Sequence, residues 1–153
     1  MKKLAPFFVS SLLLLGVAAC QNPSKTSESA PDTVSQNPAS PAAQTTQEAK
    51  EDAQSELRRR QLNEDIRARE QRNNATGGDT QRATGDLASE VRSKLEANIP
   101  DGQLTVAADE KGTVTVNGTV KNQDQLNKIQ PLAQEIKGVK SVVNKVVVAA
   151  PKQ

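Results

Sequence analysis

The stretch Gly112-Thr113-Val114-Thr115-Val116-Asn117-Gly118-Thr119-Val120 decides the fold. It alternates with period two: Val114, Val116, Gly118 and Val120 fall on one face, and Thr113, Thr115, Asn117 and Thr119 on the other. Such alternation, rich in β-branched residues, marks a half-buried strand. Asn117-Gly118 competes with that reading, because Asn-Gly favours a tight type I′ hairpin. A turn there would pair Val116 with Thr119 and Val114 with Lys121, breaking the apolar face within one residue pair. A continuous strand keeps all four positions on one side, and Gly118 then marks a close approach by a helix or by backbone.

Upstream, residues 109–112 read as a hairpin loop. Before it, Leu104, Val106 and Ala108 alternate with Gln103, Thr105 and Ala107, giving a second strand. Pro100-Asp101-Gly102 has turn chemistry. It ends a helix whose apolar stripe is Leu87, Val91, Leu95 and Ile99, with Asp86 as the expected N-cap. Downstream, Asn122 opens a second helix, with Gln125 as its capping-box partner and Leu126, Ile129, Ala133 and Ile136 as its apolar face. Pro131 lies inside it. Proline in a continuous helix costs about 3 kcal/mol, so a kink is expected, or two short turns with Pro131 opening the second. Gly138 closes the helix, and residues 141–148 form a last strand with apolar residues on both faces. The order helix, strand, strand, helix, strand predicts an α+β fold: a three-stranded mixed sheet with two helices on one face. The crossover helix lets the last two strands run parallel.

Composition narrows the chemistry. The chain has 153 residues, so one domain is the default. Its two Phe residues are Phe7 and Phe8, it has no Trp, Tyr or His, and its one Cys is Cys20. The core must be built from Val, Leu, Ile and Ala, and a domain of roughly 60 residues with such a core is marginal. No imidazole is present as base or ligand, and no intrachain disulfide can form. No aromatic platform can stack bases, and a net charge of +2 is too small for a nucleic-acid binder. Asp109 and Glu110 share one turn and Asp101 sits in another, where acidic residues serve the backbone. No nucleophile or base lies near them in sequence, so no catalytic site, metal site or cofactor is expected.

The N-terminus carries an address. Met1-Lys2-Lys3 is basic, and an apolar run follows to Ala19. The run is shorter than the ~20 residues of a membrane span and ends in small residues, so residues 1–19 read as a secretory signal. Val17-Ala18-Ala19-Cys20 resembles the lipobox of bacterial lipoproteins. That resemblance implies diacylglyceryl transfer to the Cys20 thiol and cleavage before it, leaving an amine for a further acyl chain. Two or three chains anchor stably where one does not. Gln21 follows Cys20 in place of an inner-membrane Asp signal, which favours the outer membrane.

Residues 20–47 are Ser, Thr, Pro, Ala, Gln and Asn with little apolar content, and are expected to be a disordered linker. Residues 48–72 hold seven acidic and seven basic side chains, with Glu56 and Arg60, and Asp65 and Arg69, at i,i+4. A charged, partly frayed helix fits them, and Leu57, Leu62 and Ile66 keep no heptad. Residues 73–85, with Asn73-Asn74-Ala75-Thr76-Gly77-Gly78, read as a break before a domain at 86–150.

Two blocks in that domain carry a further resemblance. The quoted stretch from Gly112, with Val114, Val116, Gly118 and Val120, is followed by Gly138-Val139-Lys140-Ser141-Val142-Val143-Asn144-Lys145-Val146. Together they resemble the BON domain over about residues 85–149. The resemblance implies binding of phospholipid surfaces or envelope partners without catalysis, in proteins of the osmotically inducible periplasmic type. Between 86 and 150 the eight acidic and eight basic side chains cancel, so no global field draws the domain to anionic lipid. Lys137, Lys140 and Lys145 read first as solubilising lysines that suit a helix C-terminus, and alternatively as a basic corner beside Val143 and Val147. The expectation is an envelope protein facing the periplasm. It would meet the membrane through lipidated Cys20, and phospholipid or an envelope protein through its C-terminal domain. An adaptor acting through the sheet edge or the Val/Thr face is the alternative.

Overall fold

The computed structural model describes residues 23–75 and 83–152. The signal, Cys20 and the Thr76-Gly77-Gly78 part of the expected break lie outside them. The elements in order are β1 (Ser24–Lys25), α1 (Ala43–Gln54), α2 (Glu56–Ala75), α3 (Thr84–Asn98), β2 (Gln103–Ala108), β3 (Thr113–Val120), α4 (Gln123–Gln134) and β4 (Ser141–Val148).

The sheet has the order β1-β2-β3-β4. β2 and β3 form the antiparallel hairpin, with Val106 opposite Val116, and β4 runs parallel to β3, with Val114 opposite Val142. α3 and α4 place Leu87, Val91, Leu95, Ile99, Ile129 and Ala133 against Leu104, Val106, Val114, Val116 and Val120. The α+β class stands, but the sheet has four strands. The fourth, β1, comes from the segment expected to be a linker.

β3 runs straight through Asn117-Gly118. Gly118 sits opposite Leu104 at φ +134°. A Cβ there would lie 1.9 Å from the Gln103 carbonyl oxygen, so the close neighbour is the backbone of β2. Asn122 caps α4 by accepting from the Gln125 N–H at 3.0 Å. The Gln125 side chain returns to the Lys121 N–H, one residue before the expected place. α4 continues through Pro131 as one helix and stops at Gln134, short of Gly138. Pro131 lies in its last turn, so the bond to the Asn127 carbonyl that its missing N–H forgoes falls near the helix end, with three helical residues after it. Asp86 is not the cap of α3. The helix opens at Thr84, and Asp86 stands in its first turn, ion-paired with Arg69 and Arg72.

The charged region is two helices, broken at Ser55, whose backbone turns extended (φ −60°, ψ 142°). The Ser55 hydroxyl accepts from the Arg58 N–H at 3.1 Å, opening α2. Ahead of α1, residues 26–40 form a strap over the sheet, departing from the linker expectation. Three kinds of contact hold it: backbone pairing at β1, burial of Ala30 and Pro31, and polar side chains of the sheet. At its far end the Lys152 N–H donates to the Pro41 carbonyl and the Ala43 N–H to the Lys152 carbonyl, both at 2.9 Å.

Candidate functional site

Three features of the sheet could receive a partner: one end, one edge and one face. The end is made by the 109–112 turn and by residues 138–140. Gly112 turns at φ +80° and Gly138 at φ +99°. Their backbones meet so closely that a Cβ on Gly112 would lie 2.6 Å from the Gly138 carbonyl oxygen. The Lys140 N–H donates to the Gly112 carbonyl at 2.8 Å, and the aliphatic stem of Lys140 lies over Gly112. Asp109 shapes the turn. Its Oδ1 accepts from the N–H groups of Thr113 (2.8 Å) and Lys111 (2.9 Å). The Thr113 N–H is the main cause holding its carboxyl below the usual range. Asp109 is thus bound to its own backbone, in an exposed turn.

The edge is β4. Ser141 and Ala149 direct their N–H groups to the carbonyls of Gly112 and Val120. Bonding residues alternate along a parallel strand. Val142, Asn144, Val146 and Val148 therefore turn their backbone groups to the open side. Asn144 blunts that side, its Oδ1 accepting from the Val146 N–H at 3.0 Å. Val142 and Val139 pack half-buried against the core, while Val143 (41 %), Val147 (44 %) and Val148 (44 %) stay exposed.

The face is the side of the sheet away from the helices. Gln103, Thr105, Asn117 and Thr119 read as its solvent side, yet all four are buried. Ser27 and Ser29 donate to Gln103 Oε1, and Thr105 donates to the Pro31 carbonyl. Asn117 Nδ2 donates to the carbonyls of Thr33 (3.3 Å) and Gln36 (2.7 Å). Lys145 Nζ donates to the Val34 carbonyl at 3.3 Å. The lysines expected as one basic corner are therefore divided. Lys140 belongs to the glycine end, Lys137 follows α4, and Lys145 lies on the face, reaching the strap. Val114, Val116, Gly118 and Val120 are buried and serve the fold.

A second, partly buried polar layer joins α2 to α3. Arg58 holds Glu96 with two bonds, at 2.6 and 3.2 Å, and Arg92 reaches the same carboxylate at 2.8 Å. The bonds to Glu96 raise the Arg58 pKa further. Arg92 and Ser93 also meet Asp65, at 3.2 and 3.3 Å. In the sequence, Asp86, Glu90, Ser93 and Glu96 recur on a second side of α3, and that spacing was the one available signal.

Between the strap and α1 lies an open cleft of about 870 Å³, lined by Lys25, Glu28, Glu48, Asp52 and Arg58 with small polar residues. Its signs alternate. Among the described residues no group of three His, Cys, Asp or Glu is placed to hold a metal ion. Also among them, no helix is long and apolar enough to cross a membrane.

A family model described as BON domain matches residues 83–150. No curated protein and no solved structure matches the chain.

Proposed function

From a chain whose residues 83–150 form a BON domain, we propose a lipid-anchored envelope protein that presents this binding module to phospholipid. BON is a binding-type domain, associated with phospholipid and membrane surfaces. Cys20 is the anchor in this reading, with the protein facing the periplasm, favoured at the outer membrane, and serving osmotic or envelope stress protection. The lipobox-like Val17-Ala18-Ala19-Cys20 supports the anchor.

The observation that carries the lipid reading is β4. An edge strand that exposes Val143 and Val147 on either side of Lys145, with Lys140 at its head, offers apolar contact beside positive charge. Cosedimentation of the Cys20→Ser chain with phosphatidylglycerol vesicles tests it without the anchor. Binding that weakens in Val143→Asp supports the reading, and no binding at low salt overturns it. The open edge of β4 favours a second reading, in which an envelope protein adds a strand beside Val146. Binding to such a protein with no affinity for vesicles would select it.

A further inference from the structure

The strap fixes where the chain leaves the domain. Ser24 lies opposite Val106 and Lys25 opposite Thr105, so the chain traced back from Ser24 runs toward the Ala108 end of β2. That end carries the 109–112 turn. β4 begins there too, because it runs parallel to β3 and Lys140 bonds to Gly112. The route toward Cys20, Lys111, Lys140 and the head of β4 thus share one end of the sheet. Lys121 and Gly102 lie at the other.

Four residue steps separate Cys20 from Ser24, and whatever their conformation they span at most about 14 Å. With the strap docked, an anchor at Cys20 cannot sit far from the glycine end. With the strap released back to Ala42, the same link becomes 22 steps, a coil with an r.m.s. reach of about 26 Å. The far end of the sheet stands roughly 25 Å beyond the glycine end, at ~3.3 Å per residue along β3.

We propose that the docked strap orients the domain on the bilayer, turning the end that carries Lys111 and Lys140 to the phospholipid headgroups. This rests on the anchor reading above and, while the strap is docked, narrows the lipid-facing surface to the head of β4 beside Lys140, leaving Val147 near the far end of the sheet. The orientation comes from chain length. Charge does not select this end, because Asp109 and Glu110 of the same turn balance Lys111 and Lys140. The strap is held by β1 pairing, by burial of Ala30 and Pro31 and by polar bonds, and it buries Gln103 with Nε2 unpartnered, a penalty that release removes. Release frees the domain to turn its other surfaces outward.

The chain has no Trp, so one introduced tryptophan reports alone. The mature chain, coupled through its Cys20 thiol to maleimide lipid in phosphatidylethanolamine–phosphatidylglycerol vesicles, is compared as Lys111→Trp and Lys121→Trp. Energy transfer to dansyl lipid is read for each. The expected result is at least threefold stronger transfer from position 111, falling toward a ratio of one when Ala30→Asp is added. Replacing residues 26–36 by a Gly/Ser sequence of equal length should give the same fall. Equal transfer from both positions in the native strap overturns the proposal, as does a ratio that survives the Gly/Ser replacement. Metabolic acyl labelling of Cys20 runs alongside. Absent label overturns the anchor and with it the orientation in the cell, while equal transfer with label present overturns the strap alone.

Discussion

The domain at 83–150 is held by a continuous apolar core from Leu87 to Val146, whereas residues 23–75 bury only Ala30, Pro31, Ala53 and Leu62 among their described apolar side chains. The first region is stabilised by area removed from water, about 25 cal/mol per Å². The second is held by carbonyl bonds, β1 and a layer of ion pairs, each giving about 0.5–1.5 kcal/mol net or less. The domain should therefore fold with or without its N-terminal cover, and the cover should not fold without the domain. The same asymmetry gives one chain a stable module and a detachable attachment to it.

The largest effect belongs to Gly118→Val. Its Cβ would meet the Gln103 carbonyl oxygen at 1.9 Å, on a backbone at φ +134° that side chains rarely adopt. Conformational strain and overpacking cost about 1–3 kcal/mol each, so the sum is about 2–6 kcal/mol. A domain of this size loses about 4–8 °C in Tm per kcal/mol. Differential scanning calorimetry should show an unfolded or barely folded domain. A native-like Tm would break the reading of β3 as one strand with Gly118 pressed against β2.

Next comes Glu96→Gln, on the boundary between the regions. The Glu96 side chain is 3 % exposed and Arg58 is 32 % exposed. Breaking a buried pair costs about 3–5 kcal/mol, and partial exposure of Arg58 brings the expected loss to about 1–2 kcal/mol. The loss should appear as faster proteolysis within α2, with the 83–150 core intact. Added salt should loosen α2 in the native chain in the same way, and leave the core transition almost unmoved. Both regions failing together would show that they are one cooperative unit.

The contrast also explains what could be read from the sequence. Alternation at 104–120 and the Leu87, Val91, Leu95 stripe were legible because burial of apolar side chains imposes a period. Asn122 and Gln125 were legible because a cap is a local bond. Thr105 and Asn117 were not. A polar side chain facing out looks the same whether water or a strap carbonyl receives its bond. The low apolar content of 20–47 argued for disorder, and the count omitted what Gln103, Asn117 and Lys145 give back from the other half of the chain. Sequence proximity put Lys140 and Lys145 in one corner, and the strand sets them apart, Lys140 at the glycine end and Lys145 further along the face.

Asn117→Ala should act more weakly still. It removes the donor shared by the Thr33 and Gln36 carbonyls, a loss of about 1 kcal/mol. Hydrogen exchange should quicken at Thr26, whose N–H bonds to the Leu104 carbonyl, and at Leu104, whose N–H bonds to the Thr26 hydroxyl. Central amides of β3 should keep their protection. Unchanged exchange at Thr26 would mean that β1 is held without the strap behind it.

The smallest effect sharpens the comparison from inside the domain, where one polar contact is as local as a cap. Asp109 accepts from Thr113 and Lys111, and the Thr113 N–H above all holds its carboxyl below the ordinary range. A depressed carboxylate pKa adds stability above the unfolded value, near pH 3.9, and that stability is lost as pH falls through the folded value. Asp109→Asn should therefore lower Tm slightly at pH 7, and the gap to the native chain should close as pH drops below about 4. The other carboxylates titrate in both proteins, so the difference between the two curves isolates Asp109. A gap that stays constant into acid would assign the turn to the geometry of the side chain, with its charge playing no part.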